Sequence, residues 1–283
     1  VTVERILAAA GLTGAELSPL GGGTYNSVYR VSAREGEFVL KTPPAGLPGL
    51  TYERQLIRTE ALFCTLASPV APVPQVVYAD DTALLTTCLP GEPVFGRSDV
   101  DRPRLRRQLG TAVRALHDVT GPGFGYPQLG LRTTWTEAFT GMFGAVRADA
   151  ERHGVALPDL DLTRHAKAFD EVERPALVHF DLWDGNVLAD TGLTGFVDGE
   201  RAFWGDPVAE FVSLALFGSI EDDPDLLTAH GFEFTDAARV RLAAYQAYLY
   251  SIMLTERVPR GSTDPEFERV IMDALTRALG VLA

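Results

Sequence analysis

The stretch LVHFDLWDGNVLADTGLTGFVDGE, Leu177–Glu200, decides how the rest of this chain reads. Three short apolar runs, Leu177–His179, Val187–Ala189 and Gly195–Asp198, are separated by turn-forming residues, the pattern of a compact strand-and-loop unit. His179 and Asp181 follow the first run, Asn186 stands five residues beyond Asp181, and Asp198 seventeen beyond it. A carboxylate, a carboxamide and a second carboxylate at strand ends can converge on one point. Asp181 is suited to accept a proton from a hydroxyl. Asn186 and Asp198 offer the hard oxygens that Mg²⁺ takes while it stays partly hydrated and bound to phosphate. Asp and Asn are also ordinary turn formers. Their joint placement between strands, rather than any one of them, favours the chemical reading.

On the N-terminal side the chain is strand-rich. A helix is predicted over 3–11, then a strand-like stretch, a glycine run, and strands over 27–31 and 37–41 joined by a tight turn at Glu35–Gly36. A helix over 52–66 carries Leu56, Ala61, Leu62 and Leu66 at near-helical spacing, and two more strands follow near 75–78 and 83–88. Leu89-Pro90-Gly91-Glu92-Pro93 then breaks regular structure and marks a hinge. Beyond it helices are predicted over 101–119, 134–153, 163–171, 207–218, 236–256 and 264–280. The expected architecture is α+β: an N-lobe over 1–88 built on a small antiparallel sheet with one main helix, and a larger, mainly helical C-lobe over 89–283.

With 283 residues, 46% of them hydrophobic and 22% charged, the chain can bury a substantial core and is not a disordered or low-complexity sequence. No apolar run approaches the roughly 20 residues of a membrane span. VTVERILAAAGL carries Glu4 and Arg5 and has neither the basic start nor the apolar stretch of a secretory leader. Cys64 and Cys88 make neither a disulfide framework nor a zinc site. A cytoplasmic protein is the expectation. The net charge of −13 divides into −2 over residues 1–88 and −11 over 89–283. Such a surface repels phosphate backbones, so nucleic acid is not an expected partner, and neither is a membrane.

His179-x-Asp181-x-x-x-x-Asn186 resembles the catalytic loop of the aminoglycoside phosphotransferase-like kinases, which share the protein-kinase core. Asp198-Gly199-Glu200 is similar to their metal-binding turn, and the stretch from Glu200 to Pro207 to the segment that follows it. The resemblance extends to GGGTYNSVYRV near the N-terminus and to CLPGEP at the hinge. It implies a protein-kinase-like two-lobe fold and phosphoryl transfer, in which positioning and charge neutralisation matter more than covalent catalysis. Asp181 then orients and deprotonates the acceptor hydroxyl, Asn186 and Asp198 hold Mg²⁺ on the phosphates of ATP or GTP, and His179 braces the loop. Glu200, by strand alternation, shares a face with Asp198.

The same resemblance gives the nucleotide its other contacts. Gly22, Gly23, Thr24 and Ser27 lie where kinases fold a loop over the phosphates, with Asn26 in place of a third glycine. No G-x-x-x-x-G-K-[ST] occurs, which excludes a Walker-type site. Lys41 is one of two lysines in a chain with 23 arginines. It is expected to pair with the α- and β-phosphates, steadied by Glu60 in preference to Glu53. The purine edge is expected on the backbone of the hinge, at Cys88 with Thr87 or Leu89, because Pro90 has no N–H. One departure is Trp183, where protein kinases carry a lysine two residues after the catalytic Asp. The positive charge must then come from the metal, Lys41 or a residue such as Arg201. Asp206-Pro207 reads as a helix cap.

For the acceptor, Glu221-Asp222-Asp223-Pro224-Asp225 offers carboxylates to the ammonium groups of an aminoglycoside, or is simply a solvated loop. Trp135, Trp183, Phe203, Trp204, Tyr245, Tyr248 and Tyr250 offer rings to a nucleoside or sugar, though several must be core. The reading is an O-phosphotransferase acting on a small hydroxylated natural product, an antibiotic of aminoglycoside or nucleoside type, conferring resistance. The alternatives are a metabolic kinase of fructosamine, choline or sugar type, since Asp181-Leu182-Trp183-x-Gly185-Asn186 is also similar to fructosamine kinases, and a non-catalytic kinase-shaped binding module.

Overall fold

The computed structural model describes residues 3–21, 26–43 and 49–283. Helix α1 (Val3–Ala9) precedes strands β1 (Glu16–Pro19), β2 (Ser27–Ala33) and β3 (Gly36–Thr42). Helix α2 (Leu56–Ala67) follows, then β4 (Val76–Ala79) and β5 (Leu84–Thr87). These strands form one five-stranded antiparallel sheet in the order β1-β2-β3-β5-β4. The tight turn between β2 and β3 falls at Arg34–Glu35, one residue earlier than predicted, because Ala33 pairs with Gly36. In β3 the alternate residues Phe38 and Leu40 are buried, and α1 adds Ile6 and Leu7 to that small core with Val31 and Leu85.

The C-lobe is mainly helical. Its helices are α3 (Arg102–His117), α4 (Trp135–His153), α5 (Ala166–Asp170), α6 (Glu210–Leu214), α7 (Pro224–His230), α8 (Asp236–Glu256) and α9 (Pro265–Leu282). Between them lie β7 (Ala176–Val178), β8 (Val187–Ala189), β9 (Leu193–Phe196) and β10 (Phe203–Gly205), with β6 (Glu92–Pro93) reaching in from the hinge. β10 pairs with β7, and β6, β8 and β9 make a second small sheet. Side-chain caps set several helix starts: Asp101 accepts from the Arg104 N–H, Thr134 from Glu137, and Thr235 from Ala238. α8 is buried nearly all round and forms the axis of the lobe, with Tyr245, Tyr248 and Tyr250 packed inside.

The helices predicted over 52–66, 163–171 and 207–218 each have a 3₁₀ turn where they were expected to begin, and the one over 163–171 becomes a turn at Thr163–His165 followed by the short α5. Thr51–Glu53 is a 3₁₀ turn and Gln55 adopts a left-handed conformation (φ 56°), so the helix starts at Leu56 rather than at Tyr52. Glu53 is drawn into that turn by the Leu50 N–H, 2.6 Å from its carboxylate, and by Arg260 of the C-lobe. The helix predicted over 207–218 becomes a 3₁₀ turn at Pro207–Ala209 followed by α6, which stops at Leu214. There the buried Arg106 guanidinium takes the Leu214 carbonyl at 2.9 Å, satisfying a helix-end acceptor in place of another turn.

α2 links the lobes. Its Phe63, Cys64 and Ala67 belong to the same buried cluster as Phe180, Val187 and Phe196 of the Leu177–Glu200 unit. Gly199 lies so close to Phe63 that a Cβ there would stand 2.2 Å from the ring, so this approach needs glycine.

Candidate active site

Asp181 follows β7 on a loop whose shape is fixed from beneath. Phe180 has φ 65°, a conformation that costs a bulky residue about 1–3 kcal/mol. The fully buried Glu210, first residue of α6, holds it there. Its carboxylate accepts the His179 N–H at 2.7 Å and the Phe180 N–H at 2.9 Å. Burial alone would raise the Glu210 pKa, but His117, His179 and these donors hold it below the ordinary glutamate value, so it stays a carboxylate. Behind it His117 and His230 meet at 2.9 Å between ring nitrogens, and burial beside His117 pushes His230 down to about 3. His179 braces the loop from the other side: its Nε2 is 2.9 Å from the Val197 carbonyl and its Nδ1 accepts the Asp181 N–H at 3.2 Å. The Nε2–H tautomer satisfies both contacts.

The Asp181 side chain is 26% exposed. Burial raises its pKa above the ordinary aspartate value, with Asp198 and Glu256 adding to the rise and Arg201 and His179 opposing it. Asn186 donates its Nδ2 to the Asp181 carbonyl at 2.8 Å, which leaves the amide oxygen as its free end. Gly185 is required beside it, since a Cβ would meet the Trp183 ring at 2.2 Å.

Lys41, on β3, lies against Glu60 of α2 at 2.6 Å and in contact with the Asp198 carboxylate. Burial on its own lowers the lysine pKa, but Asp198, Glu60 and Glu200 outweigh it and hold the ammonium above the ordinary value. Of the two glutamates weighed from sequence, Glu60 reaches Lys41 and Glu53 reaches Arg260. Asp198 sits after β9 with φ 65°, and Gly199–Arg201 form a 3₁₀ turn. The expected strand alternation between Asp198 and Glu200 is therefore wrong, because the strand ends at Phe196. Glu200 still joins the cluster: it accepts Asn26 Nδ2 at 2.7 Å. Its carboxyl is pushed up to about 8, first by burial and then by Glu60 and Asp198. Ser27 opens β2 opposite Thr42, with its side chain exposed. Gly22, Gly23 and Thr24 lie outside the described residues.

At the hinge, the Thr87 N–H donates to the Gln75 carbonyl (2.9 Å) and the Cys88 N–H to the Glu37 carbonyl (3.0 Å). Both are sheet bonds. The expectation that Cys88 gives its N–H to a purine is corrected by this ladder, and among the described residues the Leu89 N–H has no partner.

A cavity of about 1100 Å³ opens beside Asp181, walled by Leu214–Ser219, the end of α8 and the face of α9. Arg201, at its edge, stands 3.7 Å from Asp181 and 3.0 Å from Glu256 of α8, with its guanidinium over the Tyr52 ring at 5.8 Å. It brings a cation to the Asp181 carboxylate, where the chain has Trp183 in place of a lysine. Trp183 and Phe95 meet edge to face and both line the cavity. Trp135, Phe203, Trp204, Tyr245, Tyr248 and Tyr250 are core. The acidic run is not an open cluster. Glu221 pairs with Arg239, Asp225 with Arg107, and Asp223 with Arg106 while it caps α7. Asp206 is structural as expected, capping Val208 at 3.1 Å and binding Arg241 and the Tyr245 hydroxyl at 2.8 Å each.

This geometry has known counterparts. Residues 16–245 match the family model described as the phosphotransferase enzyme family, APH. The chain belongs to that family. A relative named "Probable ketoamine kinase" from Enterococcus faecium is 26% identical over 267 residues, 87% of this chain and 91% of the relative. The crystal structure of a "putative fructosamine-3-kinase" from Thermobifida fusca is 25% identical, with TM-score 0.68 over 98% of this chain and 99% of that one. Aminoglycoside phosphotransferase APH(4)-Ia, solved with AMP-PNP and hygromycin B, is 20% identical with TM-score 0.65 over 99% and 97%. The protein-kinase-like fold and a phosphotransferase activity on a small molecule are thereby shown.

Around Asp181 the structure also places residues that the sequence does not single out. Glu210 was hidden because it falls inside a predicted helix with no chemical neighbour in sequence. Glu256 and Tyr52 reach the site from positions 75 residues after and 129 before Asp181, and only packing reveals them.

Proposed function

We propose that this phosphotransferase is a sugar-adduct kinase of the ketoamine type, transferring the γ-phosphoryl group of ATP or GTP to a sugar hydroxyl. Asp181 accepts the hydroxyl proton, the hydroxyl oxygen bonds to the γ-phosphorus, and the bond from that phosphorus to the bridging oxygen of the nucleoside diphosphate breaks. Lys41, fixed by Glu60, holds the nucleotide phosphates. The purine is read by backbone, with the Leu89 N–H as donor and the Thr87 or Cys88 carbonyl as acceptor. Asn186 and Asp198 present two hard oxygens, a donor set that fits Mg²⁺, and a metal held there would neutralise phosphate charge.

The observation that carries the acceptor class is the lining of the cavity at Asp181. It is mostly apolar, and its charged residues are Arg102, Arg201, Arg257 and Arg260 against Asp181, Asp184 and Glu256. A polycationic aminoglycoside needs the opposite balance, and the acidic run that suggested it is paired with arginines. The similarity to ketoamine and fructosamine kinases supports the same choice. The test is a phosphate-transfer panel with the purified protein: fructosyl- and ribulosyl-amines against kanamycin, hygromycin B, erythromycin and choline. Ketoamines are expected to give the highest kcat/KM. A higher value for any antibiotic overturns the reading.

A further inference from the structure

The cavity beside Asp181 is unusual in sign. The chain carries 38 acids against 25 lysines and arginines, yet this wall carries four arginines against three acids. Two of those acids are engaged with three of the arginines: Glu256 accepts from Arg201 and Arg260, each 3.0 Å from the same oxygen, and Asp184 pairs with Arg102 at 2.8 Å, which leaves Arg257 as the arginine without an acid of this wall. The third acid is Asp181 itself, which must face the reacting hydroxyl.

Arg257 is the informative one. It follows α8 directly, its side chain is only 8% exposed, and it lines the cavity. Its Nη2 donates to the Asp264 carbonyl at 2.8 Å and to Glu268 at 3.1 Å. Its Nη1 is buried and has no hydrogen-bond partner among the described residues. A guanidinium offers a planar fork of donors, and a buried N–H without an acceptor is costly enough that native structures rarely keep one. The unfilled half of the fork belongs to a residue that shares a wall with the catalytic carboxylate. The uncharged part of that wall is mostly aliphatic and aromatic, with Leu216, Phe217, Met253 and Phe267.

We infer that the acceptor carries a carboxylate, bound by Arg257 within the arginine-rich end of the cavity while its sugar hydroxyl lies at Asp181. This deepens the ketoamine reading and rests on it: the substrate class becomes an amino-acid adduct of a sugar with its carboxylate free, rather than a simple alkylamine adduct. A planar carboxylate fits the guanidinium fork. The apolar wall accommodates the amino-acid side chain, and Phe95 with Trp183 edges the sugar.

The experiment compares matched acceptors on the wild-type protein: the glucose Amadori adduct of glycine and that of glycinamide, which differ in the carboxylate. Charge-assisted hydrogen bonds of this kind are worth on the order of 10- to 100-fold in affinity, so kcat/KM for the glycine adduct is expected to exceed that for the amide by about that factor, mostly through KM. Arg257→Met should bring the ratio close to one and Arg257→Lys should restore part of it, with circular dichroism reporting whether each variant is folded. Equal kcat/KM on the two adducts with the wild-type protein overturns the carboxylate while leaving the ketoamine kinase standing, and needs no variant. No turnover on either adduct, alongside turnover of an antibiotic or choline, overturns both.

Discussion

Replacing Glu210 by Gln is the most searching test of how the catalytic loop is held. The carboxylate accepts the His179 and Phe180 N–H groups on separate oxygens, at 2.7 and 2.9 Å. Glutamine keeps one oxygen and turns an NH₂ group toward the other donor. One charge-assisted bond is lost, about 1.5–3 kcal/mol, and a buried N–H is left facing a second donor, about 1–3 kcal/mol. These contributions overlap, so a loss of roughly 3–4 kcal/mol is expected. At about 2–4 °C per kcal/mol this lowers the Tm by about 6–15 °C. The left-handed Phe180 backbone, no longer clamped, relaxes and shifts the next residue, Asp181. A displacement of about 1 Å at a reacting group costs on the order of 100-fold in rate. The variant should therefore lose about 100-fold in kcat while its KM for nucleotide changes little, since Lys41, Glu60 and the hinge lie on other elements. Urea and thermal unfolding by circular dichroism, with steady-state kinetics, read both quantities. A kcat within about threefold of the parent and a Tm within about 2 °C would refute the clamp.

Further outcomes are expected at Asp181 and at the hinge. Asp181→Asn should lower kcat by roughly 10²–10⁴-fold, the usual contribution of a general base, while nucleotide still binds. Because burial raises the Asp181 pKa in the folded state, its stabilising contribution is present below the unfolded value and is lost as pH rises through the folded one. The Asn variant should thus melt no lower than the parent at pH 8, and its advantage should shrink toward pH 4. The acid limb of the parent's pH–rate profile should lie above the ordinary aspartate pKa of about 3.9, and a limb at or below that value counts against Asp181 as the base. At the hinge, Leu89→Pro removes the proposed purine donor and should abolish binding of a fluorescent nucleotide in a folded protein. Cys88→Pro should instead loosen the sheet by deleting its bond to Glu37. Parent-like affinity in Leu89→Pro would place the purine elsewhere.

By itself the sequence determined the two-lobe α+β architecture and the order of its elements. Period-two and helical apolar patterns depend on which residues each element buries, and those are local quantities. It also singled out Asp181, Asn186 and Asp198, because loop-borne polar groups at fixed spacing after short strands stand out against an apolar background, and Lys41, one of two lysines, at the end of a strand. The choice of Glu60 over Glu53 followed from local context and matches the contact that Lys41 makes.

What only the tertiary structure decided depends on contacts across long separations. Glu53 was pulled out of its helix by Leu50 and Arg260, so the helix began later than its apolar spacing allowed. The Leu214 carbonyl met Arg106, and the predicted helix stopped there. The acidic run 221–225 looked like a cation site until Arg106, Arg107 and Arg239 packed against it. The sign of the acceptor cavity could not be read from the −11 charge of the C-lobe, because net charge sums over a surface while a cavity selects the few side chains that face it. Glu210 gives the physical reason in its plainest form. A buried carboxylate is stable only where donors meet it, and its donors, the His179 and Phe180 N–H groups, lie about 30 residues away in sequence and under 3 Å away in space.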